Sequence, residues 1–221
     1  MADLNLIAEN VICGHVNAAS NYPPDKKGQK GVEELVKEAI QEGTTPDEIL
    51  NKGLIAGMSV VGKKFKGGEY FVPEVLISAR AMKTGMEYLR PLLAAANVKA
   101  KGKIILGTVE GDMHDIGKNL VAMMLEGAGY HIVDLGVNVP AQKFVDVAQQ
   151  EPQAIIGMSA LLTITMEKME STLKALREAG LKNKVIIGGA PVDQTFSNRI
   201  GADGYSPDAA SAVPLVESLI G

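Results

Sequence analysis

The spacing of the apolar residues changes once along this chain of 221 residues, near residue 100, and that change limits what it can fold into. Before it, apolar positions recur at three and four. Val32, Leu35, Val36 and Ile40 form one stripe, closed by Gly43. Thr45-Pro46-Asp47-Glu48 is a helix start, with Thr45 as N-cap, Pro46 in the first turn and Glu48 closing a capping box. Ile49, Leu50, Leu54, Met58 and Val61 continue that face until Gly67-Gly68. Pro73 opens a further helix carrying Val75, Leu76, Ala79, Met82, Met86 and Leu89. Residues 21–30 are a polar Pro/Gly break, and the pair Glu33-Glu34 reads as a solvated helix face. No strand pattern occurs in residues 1–95, so a bundle of about four short helices is expected there.

Residues 96–102 read as a short linker. Beyond them, short apolar runs alternate with helical patterns. The runs are Lys103–Val109, His131–Leu135, Ala154–Ser159 and Val185–Gly188, with a weaker one at Asp203–Tyr205. Helices are expected at about Gly117–Gly127, Ala141–Gln149, Met166–Glu178 and Asp208–Ile220. Apolar strands separated by helices imply a parallel sheet over residues 103–221, covered on both faces. Such sheets bind ligands beyond the carboxyl ends of their strands.

Composition removes several classes of function. There are 22 basic and 26 acidic residues, a net charge of −4, which leaves no basic face for a phosphate backbone. Aromatics are 4% with no Trp, so base stacking is not a theme. The single Cys13 excludes an intramolecular disulfide and fits a reducing compartment. No run reaches the roughly 18 apolar residues of a membrane helix, and no secretory signal is visible at the N-terminus. A cytoplasmic protein with no nucleic-acid or membrane partner is expected.

The stretch that carries chemistry lies between the first strand and its helix: Gly107-Thr108-Val109-Glu110-Gly111-Asp112-Met113-His114-Asp115-Ile116-Gly117-Lys118-Asn119. An imidazole that ligates a metal needs a partner for its other nitrogen. Asp112, two residues before His114, can supply it. Asp115 is also placed to N-cap the helix that follows. The loop lacks the Gly-x-Gly-x-x-Gly and Lys-Ser/Thr patterns of phosphate cradles. One Cys and three scattered His cannot assemble the usual zinc set. The third strand ends in Ser159-Ala160-Leu161, without the carboxylate a phosphoacceptor requires. His15 and His131 read as structural or surface residues.

Asp112-x-His114-x-x-Gly117, then Ser159-x-Leu161, then Gly188-Gly189 form a three-part set on successive strand ends. Together they resemble the corrinoid-binding signature of cobalamin-dependent methyltransferases and mutases. The stretch from Tyr70 to Met82 resembles a cap segment of small corrinoid proteins. Over its whole length the chain is similar to the cap plus cobalamin-binding modules of methionine synthase. The resemblance implies an N-terminal four-helix bundle cap (1–95), a linker (96–102) and a Rossmann-like, flavodoxin-like doubly wound parallel sheet domain (103–221). It implies cobalamin or a related corrinoid bound base-off, with His114 as lower axial ligand to cobalt and Asp112 on its other ring nitrogen. Gly111, Met113, Asp115, Ile116 and Gly117 would line the loop under the ring. Ser159 and Thr163, with Gly188 and Gly189, would border the nucleotide tail, and Leu161 completes the cofactor-binding set.

The same resemblance implies a function. The chain would carry a methyl group on cobalt from a donor-specific methyltransferase to a second one, which passes it to tetrahydrofolate or a thiol. O-demethylase, methylamine and methanol systems all use such carriers, commonly with a reductive activase. With no room for a substrate barrel, it would not catalyse the transfer alone. A cobalamin-dependent regulator or the small subunit of a cobalamin-dependent mutase is the alternative.

Overall fold

Ile104, Ile105 and Leu106, then Ile155, Ile156 and Met158, then Val185, Ile186 and Ile187 are all buried, so consecutive residues on both faces of three strands avoid water. Only a sheet covered on both sides allows this. The computed structural model of the protein describes residues 3–96 and 98–220. Met1, Ala2, Asn97 in the expected linker and Gly221 lie outside the described residues. The chain divides into one unit of residues 1–99 and 127–129 and another of residues 100–126 and 130–221.

In the second unit the strands are β1 (Lys103–Thr108), β2 (His131–Asp134), β3 (Ile155–Ser159), β4 (Val185–Gly188) and β5 (Gly204–Ser206). They pair in parallel in the order β2-β1-β3-β4-β5. This is the flavodoxin-like order, with its switch point between β1 and β3. The chain leaves β1 on one side and returns as β3 on the other, which opens a crevice above their carboxyl ends. The register puts Thr108, Ser159, Gly188 and Ser206 side by side in one row across four strands. Loop segments far apart in sequence therefore begin from a common edge.

Helices α6 (Ile116–Gly127), α7 (Ala141–Gln150), α8 (Met166–Glu178) and α10 (Ala209–Ile220) follow the expected spans closely. Helix α9 (Gln194–Ile200) was not expected. Its seven residues are too few to display a period. Only its ends are legible: Asp193 accepts from the Phe196 N–H at 2.7 Å, and Gly201 terminates it in the left-handed region.

Among its described residues the first unit has helices joined by turns and loops, and no strand. Its rods are α1 (Leu4–Ile12), α2 (Val32–Gln41), a continuous run of α3 (Pro46–Glu48), a π-helical stretch at Ile49–Ile55 and α4 (Ala56–Lys66), and then α5 (Val72–Ala95). Thr45 Oγ1 accepts from the Glu48 N–H at 3.3 Å, as the cap signature required. Helix α4 packs closely on α1, and a Cβ on Gly57 would stand 2.8 Å from the Ala8 carbonyl oxygen.

The pair Glu33-Glu34 is not a solvated face. Glu33 accepts from Lys37 Nζ at 2.8 Å, the Tyr88 hydroxyl at 2.8 Å and Asn17 Nδ2 at 2.9 Å. Those donors, Lys37 foremost, lower its carboxyl to about 2. Glu34 accepts the backbone N–H groups of Ala18 and Gly31. The two carboxylates hold the segments that flank the polar break onto α2, a role that helical periodicity cannot reveal. His15, fully buried, places its ring nitrogens 3.3 and 3.0 Å from the carbonyl oxygens of Tyr22 and Gln29 across the same break.

Candidate corrinoid site

The loop after β1 is shaped by the burial of one carboxylate. Asp112 is 0% exposed, yet it meets five donors. Its Oδ1 accepts from His114 Nδ1–H at 2.7 Å and from the His114 backbone N–H at 3.1 Å. Its Oδ2 accepts the N–H groups of Leu161 at 2.7 Å and Leu162 at 3.2 Å, and the Thr165 hydroxyl at 2.7 Å. Burial alone would raise the Asp112 carboxyl. The Leu161 N–H, the His114 ring, Thr165 and the His114 N–H outweigh it and hold the group well below the usual carboxylate range. One ionised side chain thus ties the loop after β1 to the loop after β3.

The consequence falls on His114. With Nδ1–H committed to Asp112, a neutral ring keeps its lone pair on Nε2. Nε2 has no protein partner among the described residues, and the side chain is 51% exposed. The Thr108 hydroxyl donates to the His114 carbonyl at 2.8 Å, which fixes the backbone beneath the ring.

A cavity of about 560 Å3 runs from His114 into the sheet, between Leu106, Gly157 and Ile187, as far as Ser206 and Ala209. Met113, His114, Asp115, Ile116, Gly117, Ser159, Leu161, Gly188 and Gly189 of the expected set line it. Three expected residues stand elsewhere. Gly111 turns the loop at φ 81°. Asp112 lies beneath the loop. Thr163 is exposed on a short 3-10 turn, Thr163–Thr165, outside the cavity lining. Asp115 precedes α6, and its Oδ2 accepts from Asn119 Nδ2 at 3.0 Å.

Sequence reasoning passed over Thr108, Asn138 and Thr165. Thr165 was the most accessible of them, since it repeats the threonine two residues after Thr163 in the same turn. Nothing local marks it as the one turned inward.

The Gly189 backbone adopts φ 133°, and a Cβ there would run into the Ala160 carbonyl. Gly189→Ala is therefore expected to cost about 2 kcal/mol or more. A lowered thermal midpoint of the whole protein, together with lost corrinoid retention, would show it; an unchanged midpoint would contradict the close approach.

The site tests well against a corrinoid. Among the described residues there is no group of three or more His, Cys, Asp or Glu able to hold a metal ion. A metal bound here must bring most of its own ligands, as a corrin does. One imidazole nitrogen is offered at the mouth, exposed apolar side chains of Met113, Ile116 and Leu161 surround it, and a deep apolar slot with glycine walls lies alongside.

Comparison with known proteins agrees. A family described as a B12 binding domain matches residues 102–214, and a second B12 binding domain family matches residues 29–90. A corrinoid protein of Desulfitobacterium hafniense is 44% identical over 86% of this chain and 90% of its own length. Trimethylamine corrinoid protein 1 of Methanosarcina acetivorans is 42% identical over 85% of this chain and 88% of its own. Among solved structures, the methanol:cobalamin methyltransferase complex of Methanosarcina barkeri aligns over 98% of this chain and 79% of that one, with a TM-score of 0.83 and 33% identity. A cobalamin-binding protein from D. hafniense aligns over the whole of both chains, with a TM-score of 0.76 and 32% identity. The Asp112–His114 pair therefore stands at the mouth of the slot in a chain that belongs to the B12-binding family of corrinoid proteins.

Proposed function

We propose that this chain is the corrinoid carrier of a methyltransferase system, taking a methyl group from a donor-specific methyltransferase and presenting it to a second that delivers it to tetrahydrofolate or a thiol. The observation that carries the reading is the Asp112–His114 pair, with Nε2 left without a partner among the described residues beside a slot of about 560 Å3. When bound, the corrinoid supplies a cobalt that accepts and releases the methyl group.

The chain's own residues do the rest. His114 would hold the cobalt through Nε2. Asp112 keeps the ring proton on Nδ1 and fixes the ring plane. Met113, Ile116 and Leu161 would give the corrinoid an apolar seat, and Ser159, Gly188 and Gly189 would border its nucleotide tail. Thr163 contacts the tail only if its turn moves, since it lies outside the slot. Residues 1–95 and 103–221 act as two modules joined by 96–102. The donor is a small methylated compound brought by the partner enzyme, as the names of the methylamine and methanol relatives suggest. A reductive activase would be a third partner. The carrier works in the cytoplasm, in keeping with the single half-buried Cys13. No helix among the described residues is long and apolar enough to cross a membrane.

The test is anaerobic reconstitution with hydroxocobalamin, followed by removal of free cofactor on a sizing column. About one corrinoid per chain should be retained. Under reducing conditions the loaded protein should then take up about one labelled methyl per corrinoid from methyl iodide. Failure to retain corrinoid would overturn the reading.

A further inference from the structure

Asn138 is the one non-glycine residue among those described with a positive φ, 52°. It lies in the loop between β2 and α7, twenty-four positions beyond His114 in sequence. Its side-chain Oδ1 accepts the Gly111 N–H at 2.7 Å, and its own backbone N–H donates to the Asp112 carbonyl at 2.9 Å. The residues on either side continue the same grip. Thr108 N–H donates to the Gly136 carbonyl at 3.0 Å, and Val139 N–H donates to the Thr108 carbonyl at 2.9 Å. Val109 and Val139 form a parallel bridge.

Asparagine suits the place for two separate reasons. It tolerates the left-handed region better than other residues with a side chain, and it carries an acceptor on a short arm. Only the second explains why glycine would not serve. Gly111 lies in the turn after β1, where no strand partner is available, and its N–H takes Asn138 Oδ1 as acceptor. Asp112 is then held on two sides. The Leu161–Thr165 turn holds its carboxylate, and Asn138 holds its carbonyl and the N–H of the residue before it.

We infer that Asn138 is a positioning residue for the metal ligand: by clamping Gly111 and Asp112 it sets the height of the Asp112–His114 pair, and so the strength of the bond from His114 to cobalt. The inference rests on the proposed role of His114 and extends it to a loop that none of the three motif segments contains. Three variants separate its parts. Asn138→Gly keeps the backbone conformation and the bond to the Asp112 carbonyl but removes the acceptor for Gly111. Asn138→Asp keeps the acceptor. His114→Ala marks the limit of a lost ligand.

The experiment is a redox titration of the corrinoid-loaded full chain across the Co(II)/Co(I) couple, followed by electron paramagnetic resonance of the Co(II) state. Co(I) carries no lower ligand, so the potential reports how firmly the imidazole binds Co(II). Removing one hydrogen bond should weaken that binding about fivefold. A fivefold change moves a one-electron couple positive by about 40 mV. Asn138→Gly should show that shift with corrinoid retention unchanged, and Asn138→Asp should stay with the wild type. A wild-type potential in Asn138→Gly, beside a shifted His114→Ala, overturns the inference and leaves the ligand assignment standing. An equal shift in Asn138→Asp also overturns it. A wild type lacking axial-nitrogen splitting, with the same potential as His114→Ala, removes the ligand assignment and the inference with it.

Discussion

Replacing His114 with alanine is expected to uncouple cofactor retention from cofactor ligation. The side chain is half exposed and its main partner is Asp112, so the fold loses little, about 1 kcal/mol in the corrinoid-free protein. The slot between Leu106, Gly157 and Ile187 is untouched, and it still takes the nucleotide tail. What disappears is the Nε2 lone pair. Removing an outer partner of a metal ligand typically costs 10–100-fold in affinity. Removing the ligand itself should cost at least as much. The absorption spectrum of the retained corrinoid should shift, and the axial nitrogen splitting of the Co(II) state should vanish. A variant with the wild-type spectrum would assign the lower ligand to some other group. A variant that no longer folds would show that His114 braces the loop rather than serving the metal.

The architecture was legible because its signals are long. The buried apolar residues of β1, β3 and β4, three on each strand, can be read as apolar runs, and the helices between them span enough turns to show their period. Helix α9 escaped because seven residues hold less than two turns. The Glu33-Glu34 pair was misread for a related reason. A carboxylate that accepts from a loop sixteen positions away looks, within its own helix, like any exposed acid.

The site was legible only in its ligand-bearing segments. Asp112 and His114 are neighbours in sequence, so their pairing needs no tertiary information beyond a loop. The contacts that fix the pair come from elsewhere: Thr165 from beyond β3, Asn138 from beyond β2, and Thr108 from the end of β1. They meet because the parallel register brings the carboxyl ends of β1 and β3 to one edge. Thr163 and Thr165 are indistinguishable by composition. Which of them turns inward is decided by the short helical turn, which buries position 165 and leaves 163 in water.

Asp112→Asn preserves volume and is nevertheless expected to be among the most damaging substitutions in the protein. The carboxylate accepts from donors on both oxygens. An amide can accept on one side only. With its NH2 toward His114, the group meets the His114 backbone N–H and forces the ring proton from Nδ1 to Nε2, which removes the lone pair a metal needs. With its NH2 toward β3, it opposes the Leu161 and Leu162 N–H groups in a fully buried position. Either orientation leaves buried donors unpaired, at about 2–4 kcal/mol. Corrinoid affinity should fall about 10–100-fold as well. The pH dependence identifies the cause. The folded carboxyl lies well below its unfolded value of about 3.9, so its contribution is complete above that pH and is lost as pH falls through the folded value. The amide does not titrate. The difference in unfolding free energy between wild type and Asp112→Asn should therefore be constant from about pH 7 to 5 and shrink below about pH 4. Glu33, lowered to about 2, imposes its own acid loss on both proteins and cancels in the difference. A gap that stays constant down to pH 3 would mean that the carboxylate's charge contributes nothing, and that the variant fails for steric reasons alone.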